Sequence, residues 1–126
     1  MTILGVGMDI VETKRIADSL ERFGDRFLNR VFLDGEVAYS KSMKLPHLHL
    51  AARFAAKEAI SKAFGTGIGK EIGWRDMEII REPSGQPKTV LHGRAISYAQ
   101  SRGVLEIHVS LSHTADYAAA TAVIVG

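Results

Sequence analysis

Residues 53–67 read RFAAKEAISKAFGTG, an alanine-rich run that carries four charged side chains and ends in glycines. Its apolar spacing predicts a long helix from about 46 to 64, with Pro46 in the first turn and Gly65 as the terminator. A helix that is apolar around most of its circumference is expected to be buried. Since charged groups are almost never buried without partners, these are expected to meet one another, a metal ion or a charged ligand.

The bulk composition predicts one globular domain covering residues 1–126. Of the 126 residues, 46% are hydrophobic and 24% are charged. The chain has no cysteine, which excludes a disulfide framework and a thiol nucleophile and favours a cytoplasmic protein. A net charge of +2 is too small to indicate nucleic-acid binding, and one Trp with three scattered Tyr forms no aromatic platform. Without a basic leader or an apolar run near the roughly 18 residues of a membrane span, no membrane association is expected.

The first predicted strand, residues 2–11, has two unlike faces. Its alternation puts Leu4, Val6, Met8 and Ile10 on one face and Gly5, Gly7 and Asp9 on the other. Glycines inside a strand often mark the close approach of another backbone or of a ligand. Asp9 therefore lies on a bare face, either as a helix cap or turn acid, or as part of a site.

The remaining pattern predicts an α+β fold. Further elements are a helix over 12–23, strands over 74–82 and 88–91 joined by a turn at 83–87, a helix over 93–102, and strands over 104–112 and 117–125. Leu105, Ile107, Val109 and Leu111 are expected to face inward, and the last strand is expected to be central. The order predicts a mostly antiparallel sheet packed against a long helix and shorter helices.

Arginines form a stripe on the predicted helix 12–23. Arg15 and Arg22 are seven positions apart and therefore lie on roughly one face. Such a stripe is either an ordinary solvated surface or a docking site for an acidic partner.

Two acids in apolar or glycine-rich surroundings, Asp9 and Glu58, are the candidate metal ligands. If the long helix crosses the first strand, the two carboxylates can share one Mg²⁺, which prefers oxygen ligands. Lys62, one turn beyond Glu58, would then act as a positive charge beside a phosphate. The alternative is an internal Glu58–Lys62 ion pair worth a few tenths of a kcal/mol.

Other anion contacts are more weakly indicated. Arg53, Lys57 and His113 can add positive charge, and the glycine-rich loop at 65–70 can wrap a phosphate. The loop matches neither the dinucleotide fingerprint nor the P-loop, so a plain helix-ending loop is the competing interpretation. His47 and His49 are interpreted as surface or capping residues.

Three segments resemble the signature segments of the bacterial holo-acyl-carrier-protein synthases, a family of the 4'-phosphopantetheinyl transferase superfamily. They are Gly7–Ile10, Phe54–Gly67 and His108–Thr114. The resemblance covers nearly the whole chain, including the turn at 83–87, and its middle segment is the most specific.

This resemblance implies a Mg²⁺-dependent transfer of phosphopantetheine from coenzyme A to a serine of apo acyl carrier protein, with release of 3',5'-ADP. Asp9 and Glu58 match the metal ligands, Glu58 or a metal-bound water would deprotonate the serine, and Lys62 matches the residue at the pyrophosphate. Residues matching the coenzyme A surroundings are Arg53, Lys57, Gly65, Gly67 and His113. Arg15 and Arg22 would face the acidic carrier protein. A homotrimer with active sites between subunits is also implied.

A different function remains open at this point. A non-catalytic module that binds coenzyme A or a nucleotide for regulation would keep Arg53, Lys57 and the glycine loop. It would not need both Asp9 and Glu58.

Overall fold

The computed structural model describes residues 1–126 and has the predicted α+β architecture. In chain order the elements are β1 (Ile3–Glu12), α1 (Thr13–Phe23), α2 (Asp25–Val31), α3 (Asp34–Lys41), α4 (Pro46–Phe64), a 3-10 turn (Trp74–Asp76), β2 (Met77–Arg81), β3 (Pro87–Leu91), α5 (Arg94–Ser101), β4 (Glu106–His113) and β5 (Tyr117–Val125). None of the helices combines the length and the apolar character needed to cross a bilayer.

The strands form two antiparallel sheets rather than one. The larger sheet has the order β1-β5-β4, so the last strand is central as predicted. The smaller sheet is the β2–β3 hairpin. Its first strand begins at Met77 and not at Trp74, because the Asp76 carboxylate accepts a hydrogen bond from the Gly73 N–H at 2.7 Å and closes a turn there.

Helix α4 is the centre of the fold and has the predicted bounds. Pro46 occupies its first turn, and Gly65 ends it in the left-handed conformation with φ of 80°. Ala55, Ala56 and Ala59 are fully buried in the core between α4 and the larger sheet. Small side chains on this face let the helix lie close against β1 and β5.

The bare face of β1 is the surface on which α4 rests. A Cβ atom added at Gly7 would overlap the carbonyl oxygen of Ala59, and one added at Gly5 would overlap that of Ala63. The glycines are thus explained by backbone approach, as strand glycines often are. This contact brings Asp9, at the far end of the same face, next to the second half of α4.

The opposite face of β1 is apolar and exposed in the single chain. Val6, Met8 and Ile10 are 61%, 65% and 64% exposed. On β4, Ile107, Val109 and Leu111 pack against the core as predicted, but Leu105 is 73% exposed. Leu105 fails the pattern because it precedes the first residue of the strand, Glu106.

Candidate active site

Asp9 and Lys62 form an ion pair between β1 and α4. Lys62 Nζ lies 3.0 Å from Asp9 Oδ1 and donates a second hydrogen bond to the carbonyl oxygen of Met8 at 3.2 Å. No ion pair joins Lys62 to Glu58. The internal Glu58–Lys62 pair considered as the alternative is therefore wrong, and Lys62 reaches across to the strand instead.

Glu58 completes a group of two carboxylates and one ammonium. Burial raises the pKa of Glu58, and the negative charge of Asp9 raises it further, while Lys62 and Arg15 oppose the shift. The two carboxylates are thus close enough for their charges to interact. A carboxylate with a raised pKa binds a proton more readily, which suits a general base.

The carboxylate oxygens of this group suit a hard cation that takes its remaining ligands from water and from a bound substrate. Asp9 and Glu58 supply carboxylate oxygens, and no group of three or more His, Cys, Asp or Glu side chains forms a full metal cage in this chain. Mg²⁺ is commonly held by one or two carboxylates, with water and substrate phosphates as its other ligands. The residues present fit that pattern.

Lys57 has a structural role, which corrects the prediction that it contacts coenzyme A. Its side chain is fully buried, and Nζ lies 2.7 Å from Glu36 Oε1, 2.7 Å from the Val31 carbonyl oxygen and 3.0 Å from that of Trp74. An ammonium group has three donors, so none remains for a ligand. Glu36 also accepts the backbone N–H groups of Leu33 and Ile79, each at 2.9 Å.

Arg53 lies in a second group of side chains, around Tyr39. Its guanidinium carbon is 4.4 Å from the centre of the Tyr39 ring, and that of Arg81 is 5.6 Å from the same ring. Arg53 is buried, donates a hydrogen bond to the His49 carbonyl oxygen at 3.4 Å, and has no partner for Nε. An open cleft of about 340 Å³ adjoins Arg53 and Arg81.

His113 joins the same group through His49. The two imidazole rings meet edge to face with their centres 5.1 Å apart, and His49 also meets the Tyr39 ring at 5.9 Å. The prediction that His49 is only a surface or capping residue is therefore wrong. We call His49, Arg53, Arg81 and His113 the cationic cluster. No carboxylate forms an ion pair with any of its members.

The cationic cluster and the carboxylates lie on different sides of α4. Arg53 and Lys62 are nine positions apart, about two and a half helical turns, so they project in opposite directions. The two groups are also separated across the larger sheet. Asp9 lies on β1 at one edge of the sheet, and His113 lies on β4 at the other edge. Within one chain the two groups are half-sites that do not face a common cleft.

The glycine loop after α4 is fixed mainly by the helix end. The N–H groups of Gly65 and Gly67 bond to the carbonyl oxygens of Lys62 and Ser61, at 2.9 and 3.2 Å. These amides are not free for a phosphate, whereas the space beside both Cα atoms is open. Farther along the loop, Arg94 donates to the Gly69 carbonyl oxygen and to Asp76, each at 3.0 Å.

Helix α1 carries the predicted arginines on an open surface. Arg15 and Arg22 line one cleft of about 320 Å³ together with the half-exposed Phe23, and the same cleft also contains Glu12 and the Lys14–Asp18 ion pair. A neighbouring cleft of about 220 Å³ adds Arg26 and Arg30 beside Phe23. The positive charge of Arg15 also opposes the rise in the pKa of Glu58, so Arg15 lies close enough to the carboxylates to interact with them.

The sequence profile of the 4'-phosphopantetheinyl transferase superfamily matches residues 5–122. The chain belongs to this superfamily. The match runs from within β1 through most of β5 and contains the residues of both half-sites.

Individual relatives agree with this assignment. A holo-(acyl-carrier-protein) synthase of Koribacter versatilis is 49% identical over 122 residues, covering 97% of this chain and 98% of the relative. The crystal structure of the synthase from Neisseria meningitidis has a TM-score of 0.93 at 32% identity, covering 99% of this chain and 100% of that one. The Helicobacter pylori synthase, solved with coenzyme A, has a TM-score of 0.85 at 33% identity, covering 95% and 99%.

Proposed function

We propose that this phosphopantetheinyl transferase moves the 4'-phosphopantetheine group of coenzyme A to a serine hydroxyl of apo acyl carrier protein, releasing 3',5'-ADP. The observation that carries the proposal is the meeting of Asp9, Glu58 and Lys62 where β1 crosses α4. Similarity to synthases over nearly their whole length supports it.

In this mechanism Asp9 and Glu58 would hold Mg²⁺, which supplies charge stabilisation for the transferred phosphoryl group. Glu58 is also the proposed acceptor of the serine proton, at its carboxylate oxygen. The serine oxygen forms a bond to the β-phosphorus of coenzyme A as the bond to the bridging oxygen breaks. Lys62 neutralises charge on the departing phosphate.

We also propose that the active site is completed between copies of the chain in a homotrimer. The exposed apolar face of β1 is a surface of the kind that mediates association. The two half-sites on opposite sides of α4 require a second copy if one coenzyme A molecule is to reach both. A trimer lets every copy give its carboxylates to one site and its cationic cluster to the next.

The acidic carrier protein is proposed to dock on α1. Arg15 and Arg22 offer positive charge, and Phe23 offers apolar area between them and Arg26. Since Arg15 also acts on Glu58, a carrier bound there has its serine near the proposed base.

The decisive test is incubation with coenzyme A, Mg²⁺ and apo acyl carrier protein, followed by intact-mass measurement of the carrier. A mass gain of one phosphopantetheinyl group is expected. An unmodified carrier, with coenzyme A bound to the protein, would instead identify a non-catalytic binding module.

A further inference from the structure

No acid forms an ion pair with a member of the cationic cluster, and the charge of Glu36 offsets that of Arg53 only in part. The members of the cluster come from three elements: His49 and Arg53 from α4, Arg81 from β2 and His113 from β4. The first three contact the Tyr39 ring of α3, and His113 contacts the His49 ring. The nearest buried acid, Glu36, is occupied by Lys57 and by two backbone N–H groups. A half-buried cluster of cationic side chains that forms no ion pair is suited to an anionic ligand.

Two other acids border the cleft beside Arg53 and Arg81, and neither neutralises the cluster. Glu78 lines the cleft, but its Oε1 lies 2.8 Å from His92 Nε2 and is already engaged there. Glu82 is exposed beyond the end of β2 and forms no ion pair. The groups that act on the His49 ring are therefore His113, Arg53 and Arg81, with Tyr39 as its neutral neighbour.

His49 differs from the arginines because its charge can change near neutral pH. Burial lowers the pKa of His49, and the positive charges of His113, Arg53 and Arg81 lower it further. Neither ring nitrogen has a hydrogen-bond partner in the protein, and the ring is held by its contacts with His113 and Tyr39. The ring is thus held in place by its neighbours, with both nitrogens free to contact a ligand.

We propose that His49 is a ligand-binding residue that takes up a proton from solvent when a phosphate group of coenzyme A binds beside the His49 and His113 rings. The negative charge of the phosphate replaces repulsion among cations by attraction, so the protonated form of His49 becomes the stable one. Binding of coenzyme A is then linked to proton uptake and becomes tighter as the pH falls. This inference rests on the proposed function, since that function supplies the ligand.

The size of the change in coenzyme A affinity follows from the thermodynamic linkage between proton binding and ligand binding. A ligand that raises the pKa of a bound group by one unit binds about tenfold more tightly to the protonated protein than to the neutral one. Because the pKa of His49 is lowered, the gain develops as the pH falls toward and below the range in which ordinary histidines titrate, and it is absent well above that range. His49→Gln keeps a hydrogen-bonding side chain but cannot titrate in this range.

The experiment is calorimetric titration of coenzyme A into the protein, in pairs of buffers that differ in ionisation enthalpy, at several pH values. The wild-type protein is expected to take up a larger fraction of a proton than His49→Gln and to gain up to about tenfold in affinity over the variant at the acidic end. His49→Phe, which keeps the ring contacts, should behave like His49→Gln. His47→Gln removes a histidine two positions away on the same helix and should match the wild type.

Equal proton uptake by the wild type and both His49 variants would overturn the inference. If the wild type still binds coenzyme A and modifies the carrier, that result leaves the proposed function intact. A wild-type protein that does not bind coenzyme A would overturn both.

Discussion

The ammonium group of Lys62 lies 3.0 Å from Asp9 Oδ1, where a metal ion held by Asp9 would also bind. In the proposed function Lys62 belongs with the departing phosphate, so it must leave Asp9 when the metal and coenzyme A are both bound. Without coenzyme A, Lys62 and a bound metal ion would compete for the same carboxylate.

Replacement of Lys62 by Met is therefore expected to have opposite effects on metal binding and on catalysis. Without coenzyme A, the affinity for Mg²⁺ should rise, by about fivefold, because an ion pair whose lysine is half exposed is worth roughly 1 kcal/mol. The rate of transfer should fall. Calorimetry with Mg²⁺ alone measures the first effect, and Lys88→Met, an equal loss of charge on exposed β3, is the control. Weaker metal binding by Lys62→Met would argue against competition.

Gly7→Ala tests the close contact between β1 and α4. The added Cβ meets the Ala59 carbonyl oxygen, which is helix backbone and cannot rotate away. Overpacking of this kind typically costs about 1–3 kcal/mol, so the melting temperature should fall, and transfer should weaken as Asp9 moves from Glu58. In Gly69→Ala the added Cβ meets nothing within 4 Å, so that variant should melt like the wild type. Equal melting temperatures for Gly7→Ala and the wild type would mean that the helix is not fixed at this point.

The buried Lys57–Glu36 pair should matter for folding and not for ligand binding. Lys57→Met leaves the Glu36 carboxylate buried without its cation, which typically costs about 3–5 kcal/mol. Denaturant unfolding should show that loss, and the Lys57→Met/Glu36→Gln double variant should lose less than the two single variants combined. Folded Lys57→Met protein should bind coenzyme A with wild-type affinity. Markedly weaker binding would return Lys57 to the ligand site.

The sequence predicted features that depend on local rules. Pro46 and Gly65 mark the ends of α4, and the alternation in β1 places Asp9 on the glycine face that meets the helix. The pairing of Lys57 with Glu36 was not predicted, because it joins residues 21 positions apart through packing of α3 on α4. His49 was missed for a similar reason. Its spacing of four from Arg53 was a signal, but its contact with His113 depends on where β4 ends.

Charge reversal at Arg22 should weaken recognition of the carrier protein and leave coenzyme A binding unchanged. Arg22 lines the α1 cleft, whereas Arg15 also acts on Glu58 and would confuse the result. For Arg22→Glu the KM for apo carrier should rise by roughly five- to tenfold at low salt, with a smaller difference at high salt. Lys88→Glu, the same reversal on β3, is the control for net charge. An unchanged KM at low salt would mean that the carrier docks elsewhere.

The separation of the two half-sites on α4 leads to a complementation experiment. Glu58→Gln removes the proposed base from one half-site, and Arg53→Ala removes a buried cation from the other. Each variant should be nearly inactive, since loss of a general base alone typically costs a factor of about 10²–10⁴. Co-expression should restore activity because some sites take their carboxylates from an Arg53→Ala copy and their cationic cluster from a Glu58→Gln copy. With random assembly of a closed symmetric oligomer, about a quarter of the sites are intact.

Co-expression of Glu58→Gln with Lys62→Met, which alter the same half-site, should restore nothing when each copy supplies Glu58 and Lys62 together. Sedimentation of the mixed protein must give the mass of three chains. No restoration in either mixture, together with a monomer by sedimentation, would mean that one chain completes its own site.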